Sequence, residues 1–234
     1  MIKLALLPGW GLGHAPLQRL AEQLALHYEV SLPQLPALPL DEALQQLEQE
    51  IAPDCWLLGW SLGGMVATVL AARRQHSCPG LITLASNPSF VTREDWPQAM
   101  RTAEFSQFQR RAQRHWSATM QGFWALCTSG ETHADWPAAP VTSADEHLPS
   151  LAWLAELDNR TAIRHLQCSQ LHVLAVADEL VPASVAGPLA RLNVRAQVTT
   201  LAGSHAFVCS QTAVLAECIH AFIQQATHGT QAHV

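Results

Sequence analysis

The stretch Trp56-Leu57-Leu58-Gly59-Trp60-Ser61-Leu62-Gly63-Gly64 decides the fold, because it joins an apolar run to a segment of helix formers. Residues 55–60 have the length and composition of a buried strand, and residues 65–72 are typical of a helix. Between them, Gly59-Trp60-Ser61-Leu62-Gly63 fits the pattern G-x-S-x-G, in which the serine occupies a sharp strand-to-helix turn. The pattern therefore predicts that Ser61 projects a nucleophilic hydroxyl above the edge of a sheet.

Short apolar strands alternate with helical stretches on both sides of this motif. Strands are predicted at residues 2–7, 30–32, 55–60, 81–85, 171–177 and 198–201, and helices at residues 17–28, 40–51, 65–74 and 213–225. This alternation indicates an α/β protein with a mostly parallel central sheet flanked by helices. Residues 93–157 are helical and aromatic in pattern, without a convincing strand. We therefore expect a core of residues 1–92 and 158–234, interrupted by an all-helical insertion over residues 93–157.

Two candidate partners for Ser61 follow it along the chain. A serine hydroxyl needs a histidine base that is held by a carboxylate, and chains with this motif carry them in the order serine, acid, histidine. Asp178 directly follows the predicted strand at residues 171–177, and His205 lies just beyond the strand at residues 198–201. Catalytic groups gather at such strand ends in open α/β sheets. The sequence predicts Ser61, Asp178 and His205 as the catalytic residues.

Other side chains compete for the acid and base roles. Asp158 precedes the strand and Glu179 lies one position beyond the strand end, so both are alternative acids. His172 lies in mid-strand among apolar neighbours, which favours a structural role. His14 precedes the serine and is better placed to line a pocket. The alternative interpretation of Asp178 is a turn residue, and that of His205 is a surface-loop histidine.

Two backbone N–H groups are candidates for stabilising the negative oxygen that develops during acyl transfer. One belongs to Leu62, at a helix N-terminus where the helix dipole favours negative charge. We assign the other to Trp10, in the loop Pro8-Gly9-Trp10-Gly11 that follows the first strand. An ordinary glycine turn is the alternative for this loop.

Aromatic residues near these motifs are candidates for substrate contact. Trp10 and Trp60 flank the proposed site in sequence and are expected to wall an acyl pocket, with further contacts from Leu62 and Phe90. Three aromatic residues of the insertion have helical spacing, which is more typical of a core than of a pocket. They are Trp116, Phe123 and Trp124.

Composition excludes several classes of protein. The chain has 234 residues, of which 49% are hydrophobic, so it can bury enough apolar surface to fold. Its formal net charge of −6 argues against a nucleic-acid binder. No apolar run reaches the roughly 18–20 residues that a membrane-spanning helix needs. We find no nucleotide-binding loop and no metal-ligand spacing, so we expect no cofactor and no metal.

The cysteines indicate the redox environment. They are scattered without a C-x-x-C pair, which argues against a zinc site and against a disulfide scaffold. Reduced thiols are typical of the cytoplasm. We therefore expect a cytoplasmic protein that is a monomer. The six cysteines are Cys55, Cys78, Cys127, Cys168, Cys209 and Cys218.

Several short motifs along the chain match one family. They are residues 56–64, Gly9-Trp10-Gly11-Leu12, residues 85–90, Glu94-Asp95-Trp96-Pro97, residues 178–182 and Ser204-His205-Ala206-Phe207. In these motifs the chain resembles the biotin-pathway pimeloyl-[acyl-carrier protein] methyl ester esterases, the BioH type. The resemblance spans nearly the whole chain and is weaker across the insertion. One departure is Pro8-Gly9, where the family typically has His-Gly ahead of the tryptophan.

The resemblance implies an α/β-hydrolase fold with a helical lid. It implies hydrolysis of the methyl ester of pimeloyl attached to acyl-carrier protein, and carboxylesterase activity on short acyl esters. Ser61 would be the nucleophile, His205 the general base and then acid, and Asp178 the orienting acid. Trp10 and Leu62 would supply the oxyanion N–H groups. The same fold and triad also allow hydrolysis of another ester, thioester or amide, and a non-catalytic binder on this scaffold is a third hypothesis.

An acidic carrier protein requires local positive charge on its partner. The family uses lid arginines for this docking, and five of the 13 basic residues of this chain lie within residues 93–114. Arginine suits bidentate pairing with carboxylate and phosphate. A solvated helix face is the alternative interpretation. The predicted docking residues are Arg101, Arg110, Arg111 and Arg114.

Overall fold

A parallel sheet forms the centre of the described chain, which comprises residues 1–129, 136 and 143–231 of a computed structural model. The described residues form one six-stranded sheet in the order β2-β1-β3-β4-β5-β6, and every neighbouring pair is parallel. The strands are β1 (Lys3–Leu7), β2 (Glu29–Ser31), β3 (Trp56–Trp60), β4 (Gly80–Leu84), β5 (Ser169–Ala175) and β6 (Ala196–Leu201). The predicted α/β class with a mostly parallel sheet is confirmed.

Helices connect these strands and bury the middle of the sheet. Every residue of β3 and β4 is buried, as expected for parallel strands with both faces covered. The edge strands β2 and β6 contain only half-buried and exposed residues. The helices are α1 (Gln18–Leu24), α2 (Leu40–Glu50), α3 (Leu62–Arg74), α4 (Thr102–Arg114), α5 (Trp116–Thr128), α6 (Ala144–Glu156), α7 (Arg160–His165), α8 (Ala186–Leu192), α9 (Phe207–Ser210) and α10 (Thr212–Gln231).

The insertion between β4 and β5 contains α4, α5 and α6, and α4 packs against both other helices. Residues 130–135 and 137–142, which belong to the predicted insertion, lie outside the described residues. The two ends of the insertion meet, because Ser89 and Asp158 form an isolated antiparallel bridge. The N–H of Asn159 also donates to the Pro88 carbonyl at 2.8 Å. This pairing supports the boundaries proposed at residues 92 and 158, which stay a prediction.

The expectation of an all-helical insertion is wrong for residues 93–101. Isolated bridges pair Val91 with Met100 and Arg93 with Trp96, and helix begins only at Thr102. The residue before a proline avoids helical backbone angles, and Trp96 precedes Pro97. The segment therefore folds back on itself as a turn before α4 begins.

Short helices account for most of the other differences from prediction. The patterns did not indicate α7, α8 or α9, because each has seven residues or fewer and shows little periodicity. The last helix, predicted to end at residue 225, continues to residue 231. Among the described helices, none combines the length and apolar character needed to cross a membrane.

Candidate active site

Ser61 lies on a strained turn between β3 and α3. Its backbone angles are φ 55° and ψ −120°, a region that residues with a Cβ adopt at a cost of about 1–3 kcal/mol. The turn is held from both sides. The Ser61 N–H donates to the Leu84 carbonyl at 2.8 Å, and the Ser61 carbonyl accepts from the Gly64 N–H at 2.9 Å. The strand-to-helix turn that the motif predicts is therefore present at Ser61.

The two motif glycines permit close backbone approaches around this turn. A Cβ at Gly59 would lie 2.2 Å from the Gly63 carbonyl oxygen. A Cβ at Gly63 would lie 2.4 Å from the Leu7 oxygen and 2.5 Å from the Pro8 oxygen. All three obstacles are backbone atoms, so a larger side chain at either position would displace the turn or the loop after β1.

His205 and Asp178 form a buried pair at the neighbouring strand ends. The His205 Nδ1 lies 2.7 Å from Asp178 Oδ2, and the two side chains are 1% and 0% exposed. Asp178 Oδ1 accepts the backbone N–H groups of Leu180 and Val181 at 2.8 and 2.9 Å. With Nδ1–H directed at the carboxylate, Nε2 is the acceptor nitrogen of a neutral imidazole. This Nε2 is buried and has no hydrogen-bond partner in the described part of the chain.

Trp60 links the serine turn to the histidine loop. Its indole N–H donates to the His205 carbonyl at 3.1 Å, and the two rings lie 5.4 Å apart between centroids. The tryptophan is fully buried. Since Trp60 immediately precedes Ser61, this bond fixes the distance between the loops that carry nucleophile and base. The structure thus gives Trp60 a positioning role, and its predicted contact with substrate stays a prediction.

The C-terminal end of α5 holds the loops that carry the acid and the base. The Ala206 N–H donates to the Cys127 carbonyl at 3.0 Å, next to His205. The Ser129 hydroxyl donates to the Ala177 carbonyl at 3.3 Å, next to Asp178. This end of the insertion is therefore attached to the core at the candidate site.

The loop after β1, which contains Trp10, lies against the serine turn. A Cβ at Gly9 would lie 3.4 Å from the Ser61 Cβ, so the loop backbone lies directly against the serine. Leu62 is the first residue of α3 and lacks an intrahelical acceptor for its N–H. Within the described ranges, neither the Trp10 N–H nor the Leu62 N–H donates a hydrogen bond. Both predicted oxyanion donors are thus unpaired.

The side chain of Trp10 joins this loop to the insertion. Its indole N–H donates to the His147 carbonyl in α6 at 2.8 Å. Its ring makes edge contacts with Phe108, Trp116 and Phe123 at centroid distances of 5.6, 5.8 and 5.0 Å. Trp116 and Phe123 therefore pack in an aromatic cluster around Trp10, and their assignment to a core rather than a pocket stays a prediction.

Ser86 supports the nucleophile turn, and the sequence analysis did not assign it a function. Its hydroxyl donates to the Ser61 carbonyl at 2.8 Å. Ser86 is the second residue after β4. It follows Ala85, which has a positive φ of 43°. The only signal in the sequence was its place in the family-like stretch at residues 85–90, which does not indicate what Ser86 contacts.

Comparisons with known proteins place the chain in a family. An α/β hydrolase fold family model matches residues 37–122. The chain is 34% identical to the pimeloyl-[acyl-carrier protein] methyl ester esterases of Xylella fastidiosa (strain M12) and Aeromonas salmonicida (strain A449). In both cases the match covers 94% of this chain and 94% of the relative. The chain belongs to this esterase family. The expected class of carboxylic ester hydrolase is thereby confirmed.

Other similar proteins agree with this assignment. The chain is 34% identical to the biotin biosynthesis bifunctional protein BioHC of Cellvibrio japonicus, over 94% of its own length, and spans 47% of that longer protein. Among solved structures, a bromoperoxidase from Bacillus anthracis superimposes with a TM-score of 0.83 at 17% identity, covering 95% of this chain and 92% of the other. The esterase EaEST from Exiguobacterium antarcticum superimposes with a TM-score of 0.81 at 16% identity, covering 96% of this chain and 92% of the other. These structures show the shared fold.

The alternative acids of this family member lie in other surroundings. Asp158 receives two hydrogen bonds from the Arg160 guanidinium, each 2.7 Å long, which lower the pKa of its carboxyl group. Glu179 is exposed. Neither carboxylate is hydrogen-bonded to His205, so Asp178 is the acid that the structure pairs with the predicted base.

The alternative histidines contact groups other than the candidate triad. His172 Nδ1 lies 2.7 Å from the Thr83 hydroxyl, and complete burial lowers the pKa of this imidazole to about 4. His14 donates from Nε2 to the Pro33 carbonyl at 3.0 Å and accepts from the Gln34 amide at 2.7 Å. The structural role predicted for His172 agrees with its contact to Thr83.

Phe90 and the predicted docking arginines lie on the insertion or just before it. Phe90 is buried and makes an edge contact with Phe105 of α4. Arg101 is exposed and pairs with Glu104. The other three docking candidates are exposed on α4 and make no ion pair with any described residue. They are Arg110, Arg111 and Arg114.

Proposed function

We propose that this esterase hydrolyses the methyl ester of a pimeloyl group carried by an acyl-carrier protein. The relatives that match it over nearly their whole length are named for this activity. The chemistry rests on one observation, the buried His205–Asp178 pair with a free Nε2, whose loop is bonded to Trp60, the residue before Ser61. The reaction is metal-independent in this proposal, because serine, histidine and backbone donors supply every step.

The first half of the proposed reaction acylates the serine. His205 Nε2 takes the proton from the Ser61 hydroxyl as its oxygen attacks the ester carbonyl carbon. The N–H groups of Trp10 and Leu62 stabilise the resulting oxyanion. Asp178 remains ionised and stabilises the imidazolium. When the tetrahedral intermediate collapses, His205 returns the proton to the leaving group, and methanol departs.

The second half releases the acid. His205 Nε2 accepts a proton from water, the hydroxide attacks the acyl-Ser61 carbonyl, and the same N–H groups stabilise the second oxyanion. Collapse breaks the acyl–oxygen bond and returns the proton to Ser61. The products are methanol and a carrier-bound chain with a free carboxylate. The carrier thioester itself stays intact.

The exposed face of α4 is the proposed docking surface for the carrier. Arg110, Arg111 and Arg114 are exposed on α4, so an acidic partner can approach this face of the helix. Arg101 would have to exchange Glu104 for a carrier carboxylate or phosphate. We propose transient docking of the carrier to a cytoplasmic monomer.

The deciding experiment compares the carrier-bound pimeloyl methyl ester with the free monomethyl ester, for wild type and Ser61→Ala. We expect a higher kcat/KM on the carrier-bound ester and loss of both activities in the variant, measured by methanol release. Equal kcat/KM on both esters would refute recognition of the carrier but would still be consistent with an esterase. If neither ester nor p-nitrophenyl butyrate is hydrolysed, the catalytic proposal fails and a binding protein on this scaffold is favoured.

A further inference from the structure

Two cysteines that are far apart in the sequence meet at the amino ends of β4 and β5. Cys78 lies two residues before Gly80, the first residue of β4, and Cys168 directly precedes Ser169, the first residue of β5. Gly80 and Ser169 are register partners in the sheet. Adjacent strands lie about 4.8 Å apart, which falls within the Cα separation that a disulfide spans.

The side chains of the two cysteines interact with each other. The Cys78 thiol also donates to the Gly80 carbonyl at 3.6 Å. Both cysteines are free and only 5% and 8% exposed. The pair is therefore an unbridged dithiol at the ends of two adjacent strands.

An open groove borders this pair. Both cysteines line an open groove of about 760 Å³, together with His76, Gln167 and Arg195. The groove is at the amino ends of the strands, whereas Ser61, Asp178 and His205 follow the carboxyl ends. The dithiol is therefore separate from the candidate active site and borders a groove at the other end of the strands.

The surroundings favour a thiolate on one member of the pair. The hydrogen bond from Cys168 lowers the pKa of the Cys78 thiol, with a further contribution from the Arg74 charge, and the same contact raises the pKa of Cys168. By contrast, burial raises the pKa values of Cys55, Cys127 and Cys218. Since the thiolate is the reactive form, Cys78 is the expected attacking group and Cys168 the resolving group.

The geometry points to a thiol–disulfide exchange site at Cys78 and Cys168, which takes a low-molecular-weight disulfide such as oxidised glutathione as its oxidant. The Cys78 thiolate attacks one glutathione sulfur, forming a mixed disulfide and releasing one glutathione thiolate. Cys168 then loses its proton and attacks the Cys78 sulfur, which releases the second glutathione. The protein loses two protons and two electrons, and one oxidised glutathione becomes two reduced molecules.

The test uses the folded, reduced wild-type chain equilibrated with oxidised glutathione, quenched with acid and alkylated with N-ethylmaleimide. Mass spectrometry is expected to show two fewer alkylated thiols, and peptide mapping a single link between Cys78 and Cys168. Thermal unfolding should shift to higher temperature after oxidation, because the cross-link closes a long loop in the unfolded chain. Hydrolysis of p-nitrophenyl butyrate should be unchanged.

Two variants distinguish this site from general thiol oxidation. In Cys168→Ser the reaction should stop at a stable glutathione adduct on Cys78. In Cys218→Ser, which removes a half-buried cysteine of α10, the link should form as in wild type. Alkylation of all six thiols, a link involving another cysteine, or a persistent adduct on the wild-type chain would each overturn the proposal. Because the disulfide link is mapped on the wild-type chain, this part of the test does not depend on the folding of any variant.

Discussion

His205 Nδ1 and Asp178 Oδ2 lie 2.7 Å apart, and the other carboxylate oxygen is held by two backbone N–H groups. Asp178 therefore accepts three hydrogen bonds, and its carboxylate cannot rotate without breaking them. The consequence is a fixed orientation of the imidazole, with Nδ1 protonated and Nε2 free to accept a proton.

Asp178→Asn should lower kcat for p-nitrophenyl butyrate by about 10⁴-fold with little change in KM. The amide oxygen still accepts the N–H groups of Leu180 and Val181, so its NH₂ faces His205 and forces the imidazole proton onto Nε2. Steady-state kinetics measure the loss, and circular dichroism checks folding. Glu179→Gln, at the exposed neighbouring position, is the control. Near wild-type activity in Asp178→Asn would refute the assigned acid.

Trp60→Phe should lower kcat by up to about tenfold, since one buried hydrogen bond to the His205 carbonyl is worth about 0.5–1.5 kcal/mol. The phenyl ring retains most of the packing but cannot donate. The matched control is Trp124→Phe, which removes an indole N–H from α5. We expect unchanged kcat in the control, measured on the same ester. An equal effect of both substitutions would indicate general loosening rather than positioning of the base.

Arg110→Glu, Arg111→Glu and Arg114→Glu combined should raise KM for the carrier-bound ester at least tenfold and leave p-nitrophenyl butyrate hydrolysis unchanged. Charge reversal repels an acidic partner without touching the catalytic residues. The effect should shrink at high salt.

The control for this charge reversal is the pair Arg164→Glu and Arg191→Glu, at exposed arginines of α7 and α8. It should not change KM for either substrate. The docking proposal fails if both reversals raise KM equally, or if the α4 variant loses activity on the small ester as well.

The features that could be predicted from the sequence are local ones. The Ser61 turn is encoded by adjacent glycines and an apolar strand, and Asp178 and His205 each follow a recognisable strand. The contacts that hold the site join distant residues. Trp60 meets the His205 backbone, and Trp10 meets His147, through bonds that no periodicity reports.

The same reasoning explains the cysteines. Their scattered spacing, without a C-x-x-C pair, predicts reduced thiols and no disulfide scaffold. The contact between Cys78 and Cys168 depends on the pairing of β4 with β5 across the whole insertion. Strand order is set by packing of the complete sheet, so this contact becomes visible only in the folded chain.

His172 should make stability fall as the pH decreases below about 6.5. Its pKa is about 4 when folded, below the ordinary value of 6.5, so between these values the unfolded chain binds more protons. The free energy of unfolding has its full value above about pH 6.5. It falls by about 3 kcal/mol as the pH decreases toward 4. Urea unfolding of wild type and His172→Gln at pH 7 and pH 5 measures it. An identical pH dependence in both proteins would contradict the assignment.

Gly63→Ala should destabilise the chain by about 1–3 kcal/mol, as overpacking does, and should also reduce esterase activity. The new Cβ would lie 2.4 and 2.5 Å from the Leu7 and Pro8 carbonyl oxygens, and backbone atoms cannot rotate away. Relief requires a shift of the serine turn or of the loop that carries the Trp10 N–H. Stability and activity therefore fall together, measured by urea unfolding and by hydrolysis of p-nitrophenyl butyrate.

Gly122→Ala is the matched substitution, because the same methyl group at this exposed position of α5 meets nothing within 4 Å. Alanine in a helix interior is favoured over glycine, so the variant should gain about 0.5–1 kcal/mol and keep full activity. The expected changes in stability have opposite signs in the two variants. This difference distinguishes a clash next to the serine turn from a general effect of replacing glycine. A Gly63→Ala protein as active and stable as Gly122→Ala would show that the loop after β1 does not have to lie against Ser61.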